Sequence, residues 1–332
     1  MARRQAKRLP MAEYLKGIRA GNRMMLSKAI TLVESRLASD RKLANDLIEA
    51  CLPYTGQSYR LGITGVPGVG KSTFIDTFGF SLAEQGHKVA VLAIDPSSQL
   101  SKGSILGDKT RMHQLAHHPS AYVRPSPTAG SLGGVARQTR ETLLLCEAAG
   151  YDSIIVETVG VGQSETTVHG MVDFFLLLAL PNAGDDLQGI KKGVMEMADA
   201  LLINKSDGTY LPKARQAKAN YAQAMRLFPQ KESNWKPQIH LVSALENTGL
   251  DQVQQMLEGY RSSMEQNGYW QKRRSQQAQQ WMLDAIRQGL EDQFFSHPAI
   301  RERLVELQKL VLAQKRAPIQ VAEELLQLWR DQ

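Results

Sequence analysis

The sequence predicts an α/β fold: a mostly parallel sheet core, flanked on its N-terminal and C-terminal sides by helical extensions. Three observations carry this reading. From Tyr59 to about Tyr260, short apolar runs alternate with amphipathic segments, the pattern of a parallel sheet with helices on both faces. The runs are continuously apolar rather than alternating, as strands covered on both sides must be. Outside that region the β pattern is missing and apolar residues recur at helical spacing.

Taken in order, residues 1–50 predict helices, because Leu15, Ile18, Met24, Leu26, Ile30, Val33, Leu37, Leu43 and Leu47 recur with charged residues between them. Pro53 and Gly56 end that pattern. Strands are expected at Arg60–Thr64, Val89–Ile94, Ala121–Arg124, Ser153–Val156, Phe174–Leu180, Ala200–Ile203 and Ile239–Val242. Helices are expected at Ser72–Glu84, Lys109–His117, Gly134–Ala149, Pro212–Leu227 and Leu250–Met264. Beyond Arg261, Gln, Leu, Arg and Glu dominate, and Leu304, Leu307, Leu310, Leu312, Val321, Leu325 and Leu328 mark an apolar stripe. The expected organisation is therefore a helical extension over 1–55, the α/β core over 56–260 and a helical arm over 261–332.

Composition bounds what the chain can do. Its 332 residues are 42% apolar and 22% charged, which allows a sizeable core and argues against disorder. No apolar run is long enough to span a bilayer, so no membrane partner is expected. The basic segment Met1–Arg8 is followed by no apolar stretch and passes at Glu13 and Lys16 into an ordinary helix; a cytoplasmic location is expected. Cys51 and Cys146 stand far apart without metal-ligand spacing and read as buried thiols. Net charge is +7, but the densest run, Lys272-Arg273-Arg274, has few aromatics near it. It reads as a solvated helix face, and no nucleic-acid partner is expected.

The strongest local signal is Gly65-Val66-Pro67-Gly68-Val69-Gly70-Lys71-Ser72-Thr73, a GxxxxGK[ST] match between a strand and a helix. Glycines let successive backbone N–H groups turn inward on a phosphate, and the following helix adds its positive end. The core is thus that of a P-loop NTPase. Lys71 is expected to bridge the β- and γ-phosphates, and the Ser72 hydroxyl to bind Mg²⁺.

A second signal, Asn204-Lys205-Ser206-Asp207, follows the strand Ala200–Ile203. A carboxylate at Asp207 can accept from N1–H and the 2-amino group of guanine, a donor pair that adenine lacks. Ser243-Ala244-Leu245, after the strand Ile239–Val242, completes a base pocket. The ligand expected is GTP or GDP with Mg²⁺. A third signal is Glu157-Thr158-Val159-Gly160, which stands where many G proteins have DxxG; with Glu in place of Asp, Glu157 is expected to reach Mg²⁺ or position the attacking water, and the Gly160 N–H to sense the γ-phosphate. Asp95 and Asp108 are further candidates on the metal side, since ligands gather at the carboxyl ends of parallel strands.

These residues carry a resemblance. Gly65–Ser72, Asp95-Pro96-Ser97-Ser98, Gly107–Met112, Glu157–Glu165 and Gly184–Gly193 look like the G-protein chaperones of methylmalonyl-CoA mutase, the MeaB or ArgK-like family of the SIMIBI class of GTPases. The resemblance runs from about residue 10 to 330. It implies a homodimer joined through the C-terminal arm. It also implies a client, methylmalonyl-CoA mutase or a related adenosylcobalamin-dependent mutase, whose cofactor loading is gated and which is protected or reactivated. It assigns Lys71, Ser72, Asp95, Asp108 and Glu157 to the Mg-phosphate site, and Asn204, Lys205 and Asp207 to guanine. Asn182–Gly193 matches a loop that signals nucleotide state to the mutase, with Asp185, Asp186, Gln188 and Lys191 as its charged and polar residues.

Two rival readings differ in kind. An NTP-dependent kinase or ATPase linked to basic amino-acid transport would need an acceptor-binding motif, and none is visible. A metallochaperone GTPase would need a Cys/His cluster; the adjacent His117 and His118 and the two separate cysteines do not make one.

Overall fold

The computed structural model describes residues 8–35, 37–94, 112–124, 132–158, 164–181 and 192–331. Seven strands form one sheet: β1 (Tyr59–Gly65), β2 (Val89–Ile94), β3 (Ala121–Arg124), β4 (Ser153–Thr158), β5 (Phe174–Ala179), β6 (Ala200–Ile203) and β7 (Gln238–Leu241). Their order is β3-β2-β4-β1-β5-β6-β7, and every pairing is parallel. Strands β2 to β4 lie on one side of β1 and β5 to β7 on the other. The chain changes side after β4, so the loops leaving β1 and β4 open into the crevice where such sheets bind ligands.

Thirteen helices are present among the described residues. Three come first: α1 (Met11–Arg19), α2 (Arg23–Val33) and α3 (Ala38–Cys51). Those within and after the sheet region are α4 (Lys71–Glu84), α5 (His113–His117), α6 (Leu132–Ala148), α7 (Ser164–His169), α8 (Lys192–Met197), α9 (Leu211–Met225) and α10 (Leu250–Gln266). The chain ends in α11 (Tyr269–Ser296), α12 (Pro298–Leu312) and α13 (Pro318–Arg330). All seven expected strands are present, with ends moved by at most two residues. The short α7 and α8 were not expected. The last two residues of the expected loop Asn182–Gly193, Lys192 and Gly193, open α8 instead.

The pleat sends alternate strand residues to opposite faces. On one face Leu61, Ile63, Val89, Val91 and Ile155 pack beneath Phe74 and Phe78 of α4 and Val253, Leu257 and Tyr260 of α10. On the other, Ala90, Leu92, Ile154, Val156 and Phe175 meet α6 and the three N-terminal helices, through Tyr14, Ile18, Leu26, Ile30 and Leu47. Gly62 faces this second layer. A Cβ there would sit 2.8 Å from Phe175 and 2.9 Å from Val168, so α7 can lie directly on β1 only because the side chain is missing. Cys51 and Cys146 are both buried. Burial pushes the Cys51 thiol up to about 11 and that of Cys146 higher still, which keeps both protonated.

The described chain divides into two compact units, Met1–Ser275 and Gln276–Gln332. The second has its own small core, in which Ile300, Leu307, Val321 and Leu325 are buried. Phe294 meets Trp329 there edge to face at 5.8 Å. Among the described residues no helix is long and apolar enough to cross a membrane.

The Lys272-Arg273-Arg274 run is not the solvated face its charge suggests. Only Lys272 is exposed, in an ion pair with Glu232. Arg274 lies against the start of the sheet and clamps Asp173 with both arms of its fork, Nε at 2.8 Å and Nη2 at 2.7 Å. It also donates to the carbonyls of Gly56 and Ser58 at 2.6 Å each, and its guanidinium stacks over Trp270 at 4.8 Å. Arg273 donates to the Val172 and His169 carbonyls at the end of α7, at 3.2 and 3.3 Å. Buried carboxylates and carbonyls require such partners. A count of charges along the sequence cannot reveal them.

Candidate functional site

The site is built outward from the end of β1. The chain leaves the sheet at Gly65, whose φ of +156° and 2.5 Å approach of a would-be Cβ to the Leu178 carbonyl admit only glycine. It curls through Val66, Pro67, Gly68 and Val69 and enters α4 at Gly70, which takes the left-handed conformation as the helix cap. A Cβ on Gly70 would stand 2.7 Å from Asn204 Nδ2. Lys71, Ser72 and Thr73 form the first turn of α4, whose free N–H groups point back toward the loop.

Lys71 folds over this loop. Its ammonium donates to the Gly65 carbonyl at 2.7 Å and lies 3.4 Å from that of Val66. Burial lowers its pKa, and the carboxylates of Glu157 and Glu165 oppose that shift. The cation is thus held where a polyphosphate would need it, with two acids behind it. Glu157, near the end of β4, is 3% exposed, and the Ser72 hydroxyl lies 3.3 Å from its Oε1. Beside them Thr158 donates to Thr64 at 2.9 Å, tying β4 to β1 at the lip of the crevice. A hydroxyl next to a buried carboxylate is the hard oxygen set that Mg²⁺ takes.

The second half of the site follows β6 and β7. The Asn204 carboxamide donates to the Val69 carbonyl at 2.8 Å and accepts from the Ala244 N–H at 3.2 Å. One buried side chain therefore joins the glycine loop to both loops of the base pocket. Lys205 sits at φ 59°, a left-handed conformation unusual outside glycine, and its ammonium reaches the Gly68 carbonyl at 2.9 Å. Asp207 accepts from the Ser243 hydroxyl, which also receives the Glu246 N–H at 3.2 Å. Ala244 is buried, whereas Leu245 is 82% exposed at the loop surface.

Gly65 to Thr73, Glu157, Asn204, Lys205, Asp207, Ser243, Ala244 and Leu245 are thus gathered around one crevice. Asp95, Asp108, Gly160, Asp185, Asp186, Gln188 and Lys191 lie outside the described residues. Two supports escaped the sequence reading. Thr77, on α4, donates to the Ala244 carbonyl at 3.0 Å. Asp76, also on α4, accepts from the Leu115 N–H at 2.8 Å and the Gln114 N–H at 3.4 Å, capping α5. A carboxylate between Ile75 and Phe78 on a buried face was the signal available for Asp76.

A glycine loop at the end of a central parallel strand, locked by an Asn-Lys-x-Asp loop, defines a P-loop GTPase. The chain belongs to the MeaB family, described as methylmalonyl Co-A mutase-associated GTPases, whose sequence profile matches residues 26–299. It is 48% identical over 311 residues to a probable GTPase of Mycobacterium tuberculosis strain H37Rv, covering 94% of this chain and 93% of that one. It is 43% identical over 324 residues to the mouse mitochondrial methylmalonic aciduria type A homolog, covering 95% of this chain and 78% of the relative. Among solved structures, one described as a LAO/AO transport system kinase superposes with a TM-score of 0.76 at 36% identity, covering 98% of this chain and 99% of the other.

Proposed function

We propose that this GTPase is a chaperone of methylmalonyl-CoA mutase, or of a related adenosylcobalamin-dependent acyl-CoA mutase, that gates cofactor loading and protects or reactivates its client. The observation that carries this reading is the family match over 26–299, to GTPases described by their association with that mutase. The mouse relative, named for methylmalonic aciduria, supports the same client. A cytoplasmic location is part of the same proposal.

The reaction proposed is attack of water on the γ-phosphorus of GTP. A phosphorus–oxygen bond forms to water, the bond to the β-phosphate oxygen breaks, and GDP and phosphate leave. The N–H groups of Gly68 to Ser72 hold the phosphate chain, and the Lys71 ammonium exchanges the Gly65 carbonyl for β- and γ-phosphate oxygens. Ser72 and Glu157, with Asp95 and Asp108, would hold Mg²⁺, which neutralises charge on the phosphates. Glu157 also positions the attacking water, and Gly160 reports the γ-phosphate. Asp207 accepts the two guanine donors while Ser243 fixes its carboxylate. The aliphatic stem of Lys205, drawn across the loop by Gly68, flanks the base.

Two further parts of the reading concern assembly. The segment with Asp185, Asp186, Gln188 and Lys191 signals nucleotide state to the mutase. Within the arm expected over 261–332, the second unit, Gln276–Gln332, is the part that pairs two copies. Met282, Ile286 and Leu290 recur every four residues along α11 and are 55%, 51% and 51% exposed, a stripe suited to a second copy.

The decisive measurement is release of phosphate from γ-labelled GTP with and without the mutase. Faster hydrolysis with the mutase, with label found only as free phosphate, supports the proposal. Equal rates defeat the chaperone reading. Label on a protein supports the rival protein kinase.

A further inference from the structure

We infer that Thr77 is a positioning residue for base selection: from the helix that holds the phosphates, it fixes the peptide between Ala244 and Leu245 so that the Leu245 N–H meets the 6-oxygen of a 6-oxopurine nucleotide. The inference rests on the guanine reading given above and deepens it. Thr77 lies on α4, six residues after Lys71, about 9 Å along the axis from that residue. Its hydroxyl donates to the Ala244 carbonyl at 3.0 Å.

That single bond orients a donor. A trans peptide is planar, and its N–H points opposite to its C=O. With the Ala244 carbonyl turned to α4, the N–H of Leu245 is turned away from that helix. The neighbouring N–H groups are taken, Ala244 by Asn204 and Glu246 by Ser243, at 3.2 Å each. The Leu245 N–H has no partner among the described residues. The loop is also closed at its neck, where Ser243 and Thr248 exchange N–H···O bonds at 3.1 Å each. Gly249 then turns left-handed against the Leu241 carbonyl, which a Cβ would approach to 2.4 Å. The neck is therefore fixed by backbone, and Thr77 sets the peptide plane at the tip.

The chemistry of the base edge names what this donor meets. Asp207 is assigned the N1–H and 2-amino donors of guanine, and Ser243, beside Ala244 in the chain, donates to that carboxylate. Next to N1 on the same edge stands position 6. It carries an oxygen acceptor in guanine and hypoxanthine and an amino donor in adenine. A backbone N–H presented there bonds to the oxygen and opposes the amino group. A side-chain amide could turn over to suit either base, whereas a peptide held from behind by Thr77 cannot.

The test is displacement of a ribose-labelled fluorescent GDP from the full chain by GDP, IDP, ADP and 2-aminopurine riboside diphosphate. GDP and IDP carry the 6-oxygen; the 2-aminopurine nucleotide keeps the 2-amino group and lacks that oxygen. Thr77→Val, which keeps the shape and removes the hydroxyl, should weaken GDP and IDP alike by roughly fivefold, the scale of one neutral hydrogen bond. It should leave the 2-aminopurine nucleotide within about twofold. Thr77→Ser should restore the parent pattern. In turnover the loss should fall on KM and not on kcat, because the bonds of Lys71 and Ser72 are untouched. An equal loss for all the nucleotides would make Thr77 a prop of the fold and overturn the inference. A parent protein that binds ADP as tightly as GDP would overturn the guanine reading and the inference together. A strong GDP preference that Thr77→Val leaves intact would overturn the inference alone.

Discussion

Asn204 donates its side-chain amide to the Val69 carbonyl at 2.8 Å, so the loop that would read the base is fastened to the loop that would hold the phosphates. The same side chain accepts from Ala244 and is 2% exposed. Asn204→Ala should strand a carbonyl and an N–H where water reaches poorly, at about 1–3 kcal/mol for each such group. Urea unfolding should shift accordingly, and GDP should dissociate faster in a stopped-flow chase. Unchanged dissociation would mean that the two loops do not depend on this tie.

Lys71→Ala should cut single-turnover GTP hydrolysis by about 10²–10³-fold, the scale seen when one preorganised electrostatic group is lost. Its stability should move little, because the variant loses a bond to Gly65 but also relieves a buried cation of its desolvation. Hydrolysis at the parent rate would remove Lys71 from the reaction.

Asp207→Asn should lower GTP affinity about 100-fold, since two hydrogen bonds to a carboxylate are exchanged for one acceptor and one donor. Xanthosine triphosphate, which offers an oxygen where guanine has its amino group, should gain. Competition against a fluorescent GDP analogue measures both. Equal binding of ATP and GTP by the unaltered protein would dismiss the guanine assignment.

Arg274→Ala should destabilise the first unit by about 3 kcal/mol or more, because it leaves Asp173 buried without its guanidinium. Arg274→Lys should recover only part of this, since an ammonium cannot reproduce the fork or the stacking on Trp270. Denaturant midpoints of the three proteins would rank them. A fully stable Arg274→Ala would show the clamp to be idle.

His169 is held at about 4 rather than 6.5, first by burial and then by the charge of Arg273. Between those values the unfolded chain takes up a proton that the folded one refuses, so stability falls as pH drops through the window. At pH 5 the loss from this group alone should approach about 2 kcal/mol. In His169→Gln the difference between urea midpoints at pH 7 and pH 5 should shrink. An identical difference in both proteins would mean that His169 titrates normally.

The sheet was legible in the sequence because β2, β5 and β6 are continuous apolar runs, as parallel strands covered on both faces are, and the regular alternation with amphipathic segments placed the more polar β1, β3 and β7 among them. The phosphate and base loops were legible because their chemistry is local: Gly65 to Ser72 and Asn204 to Asp207 are runs of eight and four consecutive residues. Six-residue helices such as α7 and α8 were not, since less than two turns cannot display a helical period. Arg273 and Arg274 were misread for another reason. Their partners, Val172 and Asp173, lie 101 residues earlier in the chain, and no window of sequence holds both ends of such a contact. Asp76 sits between these cases: its misfit among apolar neighbours was visible, but not the α5 amides it caps.

The clamp between Arg274 and Asp173 also sets a schedule for making the protein. The ribosome delivers Asp173 first, and at about 5–20 residues per second the 101 residues still to come take about 5–20 s. The last three strands, β5 to β7, are synthesised in that interval and complete the sheet, yet the acid at the foot of β5 must wait for its cation. A nascent chain halted short of Arg274 should therefore be open to protease near Asp173, and should close once translation carries the arginine clear of the exit tunnel.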